Sequence, residues 1–462
     1  MSEERNLGQR FDAEVVGTSL EEVNGTVEVP QGQGFLKTLM AFSGPGALVA
    51  VGYMDPGNWI TSILGGAQYH YTLMTVVIIS GLIAMMLQYM AGKLGIVTQL
   101  DLSQQTRART GKKGGFALWI ITELAIMATD IAEVIGSAIA IHLLTGWSVL
   151  VGVFMTAFDV LLLLLLMKLG FRKIEAIVMT LIGTVLIIFV YLMIRSNPNF
   201  ADVLQGIIPS AAAVSTHSPG AGIDSPLTMA LGIIGATVMP HNLYLHSSVS
   251  QTRKIDHKDT SAVKNAVRFM TWDSNLSLGV ATIINSMLLI LGGALFFGHG
   301  QELSAFGDLY NALKDSNVAG AVASPVLSTL FAVALLASGQ NATITGTITG
   351  ETVMEGFIHL KVPRWLRRVV TRGLALIPVL AFTIIYAGDE GKLDQLLVYS
   401  QVFLSIALPF AMIPLIYYTS SKKVMGEQFV NPKWMVVLAS VAAAVLTVLN
   451  LQLIWQMVAS FF

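Results

Sequence analysis

The chain has 462 residues, of which 54% are hydrophobic and only 12% are charged, and its mean hydropathy is +0.69. Soluble domains carry roughly 25% charged residues, so this composition cannot build a water-facing surface. The net charge of -1 gives no electrostatic reason to expect a nucleic-acid partner. The absence of cysteine excludes disulfides, thiolate metal sites and cysteine nucleophiles. These figures predict an all-α polytopic membrane protein, surrounded by the lipid bilayer.

Residues 1–35 are polar and acidic, contain no apolar run, and are predicted to form a disordered cytoplasmic tail. From Leu36 onward, apolar stretches long enough to cross a hydrocarbon core of about 30 Å recur between short polar loops. They lie near 36–68, 72–97, 115–142, 147–167, 174–194, 227–251, 270–298, 325–357, 371–387, 394–419 and 433–460. The sequence therefore predicts eleven membrane spans.

The distribution of lysine and arginine predicts the orientation, because short cytoplasmic loops of membrane proteins are rich in both. With the N-terminus inside, all but three of the 27 basic residues fall on the cytoplasmic side; the exceptions are Arg195, Lys314 and Lys392. We therefore expect a multi-pass protein of the cell membrane with a cytoplasmic N-terminus and an extracytoplasmic C-terminus. Short tails and simple loops favour a bacterial membrane over that of an organelle.

The first and sixth spans are each interrupted by proline, within Asp55-Pro56-Gly57-Asn58 and Met239-Pro240-His241-Asn242. Proline removes a backbone donor, so both helices should unwind and free carbonyl oxygens at membrane depth. The breaks fall at matching positions of two five-helix halves, a pattern typical of inverted-repeat transporters with a midplane substrate site. The predicted organisation has repeats at 36–195 and 227–420, an extracellular loop at 196–226, and an additional helix within 421–462.

Asp55 is a carboxylate between apolar flanks, where an unpaired charge costs roughly 2.5–3.5 kcal/mol on insertion scales. A bound cation would offset that cost, and Asn58 would offer an amide oxygen to the same ion. The alternative is a helix cap, because Asp before Pro commonly starts a helix. The second broken helix favours the binding interpretation.

Met239 precedes the proline at the other break. Most of the 21 methionines are expected to fill gaps between helices, but this position makes Met239 a candidate ligand. A thioether accepts soft transition ions and is a poor partner for Mg²⁺ or Ca²⁺. With freed carbonyls of Gly52, Tyr53 or Ala236, the set suits Mn²⁺ or Fe²⁺. Gln401, a single amide in an apolar span, is a further candidate for the ion's coordination shell.

The third span contains three acids, Glu123, Asp130 and Glu133, whose spacing of seven and three places them on one helical stripe. Such acids commonly form proton relays or ion pairs, and Arg372 is a plausible counter-charge for Asp130. The alternative is a structural salt bridge or snorkelling at a helix end. His241, beside the proposed ligands, is favoured as part of a proton path that also includes Asp55.

Other features have simpler interpretations. His246 is left undecided between a proton path and packing, and the small residues of the eighth span are interpreted mainly as packing contacts. Asp159 and Asp273 are isolated acids without an assigned role. No nucleotide-binding loop, zinc-protease motif or nucleophile elbow occurs, so the chain is predicted not to be an enzyme and to need no resident cofactor.

Three segments form the chain's clearest motifs: Asp55-Pro56-Gly57-Asn58-Trp59, Ala236-Thr237-Val238-Met239-Pro240-His241-Asn242-Leu243 and Ser338-Gly339-Gln340-Asn341-Ala342-Thr343-Ile344-Thr345-Gly346. Together they resemble the signatures of the Nramp divalent metal transporters, the natural resistance-associated macrophage proteins, and the match spans all eleven helices. The resemblance implies a leucine-transporter-like fold and proton-coupled import of Mn²⁺, Fe²⁺ and similar ions by alternating access.

The resemblance also implies individual roles. Metal ligands would be Asp55, Asn58, Met239 and the Ala236 carbonyl, with Gln401 contributing in some states. Positions associated with proton movement or an ion-pair network match Asp130, Glu133, His241, Glu123 and Arg372. Gly52 lies where relatives often carry another small residue, usually Ala, so only its backbone oxygen is expected to matter.

The leading hypothesis is a symporter whose partners are metal ions and protons, with no oligomer required. A divalent cation channel is one alternative, although a pore needs no paired broken helices. A magnesium-transporting relative would lack the intact Asn and Met pair. A membrane metalloenzyme would need a water-activating centre, usually rich in histidine, and this chain has only eight histidines.

Overall fold

The computed structural model describes residues 24–29, 34–158, 171–218, 224–298, 305–315, 324–359, 363–386 and 389–459. Within these ranges the chain is almost entirely helical, and the β-structure recorded there is one isolated bridge between Val27 and Arg253. The α-helices in chain order are α1 (Phe35–Phe42), α2 (Pro45–Gly52), α3 (Pro56–Tyr69), α4 (Met74–Thr98), α5 (Leu102–Thr145), α6 (Val149–Thr156), α7 (Phe171–Ser196), α8 (Phe200–Gly206), α9 (Pro226–Thr237), α10 (Pro240–Val249), α11 (Thr260–Phe296), α12 (Phe306–Ala312), α13 (Pro325–Ile358), α14 (Arg364–Ile385), α15 (Glu390–Thr419), α16 (Lys422–Met425) and α17 (Lys433–Ala459).

Seven helices of the described ranges are long and apolar enough to cross a membrane alone: α4, α5, α7, α11, α13, α15 and α17. The pair α1 and α2, bent by 53°, forms an eighth candidate. Helices occupy every predicted span, although span 147–167 is described only as far as residue 158. The prediction of an all-helical, multi-pass membrane protein is confirmed.

Some helices begin earlier than their apolar stretches. Helix α5 starts at Leu102 instead of near 115, because Asp101 caps it in a reciprocal box with Gln104: each backbone N–H donates to the other's side-chain oxygen at 2.9 Å. Gly111, with φ of 70°, kinks the polar first part of this helix. Hydropathy detects only the segment inside lipid, so it missed these polar turns.

The predicted disordered tail is only partly described. Residues 24–29 are anchored: Val27 N donates to Thr252 O at 3.0 Å, and Lys254 N donates to Val27 O at 2.9 Å. The backbone groups of this short segment find partners in residues 251–254, just after α10, while disorder of the tail stays a prediction. Residues 1–23 and 30–33 lie outside the described residues, as does Asp159.

The broken helices lie at the centre of the bundle. Helix α3 packs against α11, α9 packs against α15, and α5 packs along α13. Glycine permits these close approaches: a Cβ on Gly235 would lie 1.9 Å from the main-chain oxygen of Gln401, and one on Gly292 would lie 2.1 Å from that of Ile63. The consequence is a dense core that brings the two breaks close together.

Candidate metal site

Both predicted interruptions are present. Helix α2 ends at Gly52 and α3 begins at Pro56, while α9 ends at Thr237 and α10 begins at Pro240. Asp55 and Met239, which precede the two prolines, have extended backbone conformations. Proline at the first helical position explains both restarts, because that position needs no backbone donor.

Asp55 uses one oxygen as a helix cap. Its Oδ1 accepts from the backbone N–H of Asn58 at 2.8 Å, as the capping alternative predicts. The side chain is fully buried, and Oδ2 accepts no hydrogen bond from the residues that the structure describes. Since a buried carboxylate oxygen without a partner is unfavourable, capping leaves Oδ2 available for a cation.

Three oxygens from the two breaks converge on the Asn58 amide nitrogen. Nδ2 donates to the main-chain oxygen of Ala236 at 2.7 Å, to Asp55 Oδ1 at 3.2 Å and to the main-chain oxygen of Gly52 at 3.3 Å. Converging oxygens create a negative potential that suits a positive charge. A half-turn of the amide would direct Oδ1 into the same cluster, where a cation could be shared between it and the three oxygens.

Asn285 of α11 contacts the oxygen of the Asn58 amide. Its Nδ2 donates to Asn58 Oδ1 at 3.3 Å and to the main-chain oxygen of Tyr53 at 2.8 Å. Asn285 is therefore a supporting residue of the candidate site that the sequence did not reveal. It lies in a separate span, with no motif around it to distinguish it from other membrane amides.

Met239 is fully buried at the second break, where it packs against Ala125 and Ala128 of α5 and against Leu404 of α15. Its sulfur accepts from Asn242 Nδ2 at 3.7 Å. The amide of Asn242 also lies against Gly52, since a Cβ there would be 2.1 Å from Nδ2. The absence of a side chain at Gly52 therefore leaves room for the Asn242 amide. This steric role is additional to the metal-ligand role predicted for the Gly52 carbonyl.

Gln401 lies beside the first break. A Cβ on Gly57 would be 2.0 Å from Gln401 Nε2, which places this amide against the first turn of α3. Its Nε2 donates to Ser400 Oγ at 3.0 Å, and its Oε1 is buried without a hydrogen-bond partner in the described ranges. Gln401 is therefore placed where an ion held by Asp55 and Asn58 could recruit it.

The acids of α5 contact arginines of α14. Arg372 Nη1 lies 3.3 Å from Glu133 Oε2, which also accepts from Thr343 Oγ1 at 2.9 Å. Arg372 reaches Asp130, its predicted partner, through the main-chain oxygen at 3.5 Å. Glu133 lies close enough to Asp55 for the two carboxylates to interact electrostatically. The predicted stripe thus connects the first break to α14.

Glu123 has a partner that the sequence did not predict. Arg367 Nη2 donates to both of its carboxylate oxygens, at 2.9 and 3.1 Å. From the sequence, Arg367 is one of the basic residues on the cytoplasmic side, because it precedes the predicted span at 371–387. Gly350 of α13 makes room for this guanidinium, since a Cβ there would be 1.7 Å from Nη1. The small residues of the eighth span therefore do more than pack.

Comparison with known proteins decides the family. Residues 46–456 match the family model described as natural resistance-associated macrophage protein-like, Nramp. This chain belongs to the Nramp family. The divalent metal cation transporter MntH of Levilactobacillus brevis is 61% identical, over 94% of this chain and 93% of that protein.

Solved structures agree with the Nramp assignment. The crystal structure of the Eremococcus coleocola manganese transporter, in complex with an aromatic bis-isothiourea substituted compound, is 55% identical. It has a TM-score of 0.89 and covers 96% of this chain, which covers 92% of that one. Mhp1, a nucleobase-cation-symport-1 family transporter, shares the fold at 17% identity and a TM-score of 0.57. The predicted leucine-transporter-like fold class is confirmed, whereas the inverted repeat stays a prediction.

The histidines of this Nramp chain have different surroundings. His241 is buried next to Met239 and interacts electrostatically with Asp130. His246 Nδ1 lies 3.0 Å from Gln88 Oε1, and Gln88 Nε2 donates to the Tyr53 hydroxyl at 2.7 Å. This chain of hydrogen bonds links α10 through α4 to the first break. The sequence had left His246 undecided and given Gln88 no role.

A second charged network lies where α1 meets α2. Asp273 accepts from the backbone N–H groups of Gly44 and Gly46 at 3.3 and 2.7 Å. Arg253 pairs with Glu175 at 2.7 Å and donates to the main-chain oxygen of Ser43 at 2.7 Å. These charges cap the two helix ends at the bend, which gives Asp273 a structural role that the sequence left open.

Proposed function

We propose that this chain is a secondary transporter that imports divalent transition metal ions, Mn²⁺ and also Fe²⁺ and similar ions, together with protons. The observation that carries the proposal is the convergence of Gly52 O, Asp55 Oδ1 and Ala236 O on the Asn58 amide. It is supported by the two relatives of high identity, a divalent metal cation transporter and a manganese transporter.

The donor set favours a transition ion. A carboxylate, an amide oxygen and two main-chain carbonyls are hard ligands that Mn²⁺ accepts, and the Met239 thioether adds a soft ligand that Mg²⁺ and Ca²⁺ do not favour. Among the residues described, no group of three or more histidine and carboxylate side chains is placed to hold a metal. Selectivity in this proposal depends on the mixed set formed at the two breaks.

The burial of the site supports alternating access. Asp55, Asn58, Ala236 and Met239 are fully buried, so an ion could enter or leave only if helices move. The unwound residues between α2 and α3 and between α9 and α10 are the hinges in this proposal, because they lack the intrahelical hydrogen bonds that stiffen a helix. We propose that outward and inward openings alternate around this centre.

Proton coupling is proposed along α5. Glu133 and Glu123 are ten residues apart, which corresponds to about 15 Å at 1.5 Å per residue. Asp55 would exchange a proton when metal binds. Glu133, which interacts electrostatically with Asp55, would be the next group on the path, together with Asp130 and His241, which interact with each other. Arg372 and Arg367 would stabilise the acids in their charged state, which keeps them able to accept protons.

The proposed setting is the bacterial cell membrane. The N-terminus would be cytoplasmic and the C-terminus extracytoplasmic, because this orientation places most basic residues in cytoplasmic loops. Metal ions and protons would be substrates, with no resident cofactor. A single chain would suffice, because both breaks that form the candidate site belong to one polypeptide.

Uptake of Mn²⁺ into proteoliposomes that contain a pH-sensitive dye tests this function. We expect saturable uptake that acidifies the vesicle interior, and Asp55→Asn should abolish both signals. Saturable uptake without acidification would contradict proton coupling. Uptake that does not saturate would favour the channel alternative over a transporter.

A further inference from the structure

A groove runs between α15 and α17, away from the metal site. Its volume is about 840 Å³. The α17 side is lined by short side chains, among them Ser440, Ala443 and Ala444, which cannot fill the space between the helices. Ile413 of α15 and Val448 of α17 line it and are 54% and 61% exposed, so the groove opens toward lipid.

The dimensions of the groove suit a hydrocarbon chain. Its lining on α17 extends from Val436 to Val448, which corresponds to about 18 Å of helix. That is more than half of a hydrocarbon core of about 30 Å. The groove therefore runs from the membrane surface into the interior along an apolar wall.

One end of the groove is polar. Ser420 and Ser421, which follow α15, line it there, and Ser420 Oγ is buried with no hydrogen-bond partner in the described part of the chain. Tyr417 lies at the same end and is 60% exposed. This end offers hydroxyl donors at the level where a lipid headgroup begins.

Positive charge surrounds the polar end. Lys422 and Lys423 directly follow the two serines, and Lys433 begins α17. Arg109 of α5 lies over the rings of Tyr417 and Tyr418, at 5.7 and 5.2 Å from their centroids. Only one acid in this loop faces them: Glu427 lies 3.6 Å from Lys422, and because both side chains are mostly exposed the pair is weak.

We propose that this groove binds an anionic phospholipid, with one acyl chain between α15 and α17 and the phosphate near the serines and lysines. Basic pockets beside membrane helices attract anionic headgroups, and an apolar groove alone would not discriminate between headgroups. The bound lipid would fill the space beside α15, the helix that carries Gln401. This site goes beyond the proposed transport function and does not depend on which ion is carried.

Native mass spectrometry of the full chain tests the proposal, after reconstitution with equal amounts of phosphatidylglycerol and phosphatidylcholine. We expect the wild type to retain phosphatidylglycerol preferentially. Lys422→Gln with Lys423→Gln should weaken its retention about tenfold or more, because each lysine near the surface contributes roughly 1 kcal/mol. The matched control, Lys258→Gln with Lys264→Gln at the start of α11, should retain lipid as the wild type does.

A second pair of variants tests the acyl-chain half of the site. Ala444→Trp places a large ring in the groove and should abolish retention, whereas Val445→Trp, on the next exposed position outside the groove lining, should not. Equal retention of the two lipids by the wild type would overturn the proposal. Retention by Ala444→Trp equal to that of Val445→Trp would also overturn it, since the lysines would then attract lipid without a groove.

Discussion

Asn58 of α3 and Ala236 of α9 are joined by a hydrogen bond of 2.7 Å that connects residues 178 positions apart. The amide of one broken helix thereby contacts the freed carbonyl of the other. The Ala236 carbonyl would not be available in an intact helix, because it would accept from the N–H four residues later. The two breaks therefore form one polar centre.

Asn285 is predicted to tune this centre without binding metal. Asn285→Ala removes the amide whose Oδ1, unpartnered among the described residues, could accept from Asn58 Nδ2 once Asn58 turns its own oxygen toward the ion. The change should lower Mn²⁺ affinity about tenfold or more, as is usual for residues that support a ligand. Asn58→Ala should lower the affinity further, because a proposed ligand is lost. Calorimetric titration with Mn²⁺ measures both, with Asn450→Ala as a control that removes a buried amide bonded to Ser405. An Asn285→Ala affinity equal to that of the wild type would contradict this role.

Met239 is predicted to set the choice of ion. Met239→Ala should retain part of the Mn²⁺ transport, because the oxygen ligands stay in place, while Ca²⁺ or Mg²⁺ should become better competitors. Competition assays in proteoliposomes give the ratio of inhibition constants. Met287→Ala, in α11, is a control that removes another buried thioether that is not a candidate ligand. Unchanged competition in Met239→Ala would mean that the thioether does not determine selectivity.

Removing only one partner of the Glu123–Arg367 ion pair is predicted to destabilise the protein. Arg367→Met should destabilise the protein by about 3 kcal/mol, because it leaves a mostly buried carboxylate without its partner. The double variant with Glu123→Gln should recover much of that loss, since no isolated charge remains. Thermal unfolding of the purified protein measures both effects. A double variant as unstable as the single one would show that packing, and not charge, dominates here.

The anchored segment 24–29 is predicted to be held by its backbone. Val27→Pro removes the N–H that donates to Thr252 and should speed hydrogen exchange of the Lys254 amide by about fivefold, as expected for a loss of roughly 1 kcal/mol. Glu28→Gln breaks only the exposed pair with Lys254 and should change the exchange rate little. If Glu28→Gln sped the exchange of the Lys254 amide as much as Val27→Pro, the segment would be anchored by its side chains and not by its backbone.

Much of this organisation could be predicted from local sequence. Apolar runs located the spans because a helix must satisfy its own backbone groups in lipid. The prolines located both breaks, and the spacing of Glu123, Asp130 and Glu133 placed them on one stripe, because these signals lie within a few residues of each other. The motif resemblance pointed to the family that the comparisons then showed.

The partners of those residues required the tertiary structure. Asn285 and Arg367 act on residues 227 and 244 positions away, and nothing in their own neighbourhood distinguishes them from ordinary membrane amides or loop cations. Helix packing decides which distant side chains meet, and it gave the guanidinium of Arg367 space beside Gly350. Local patterns thus identify the groups that need partners in lipid, while only the packed bundle determines which partners they find.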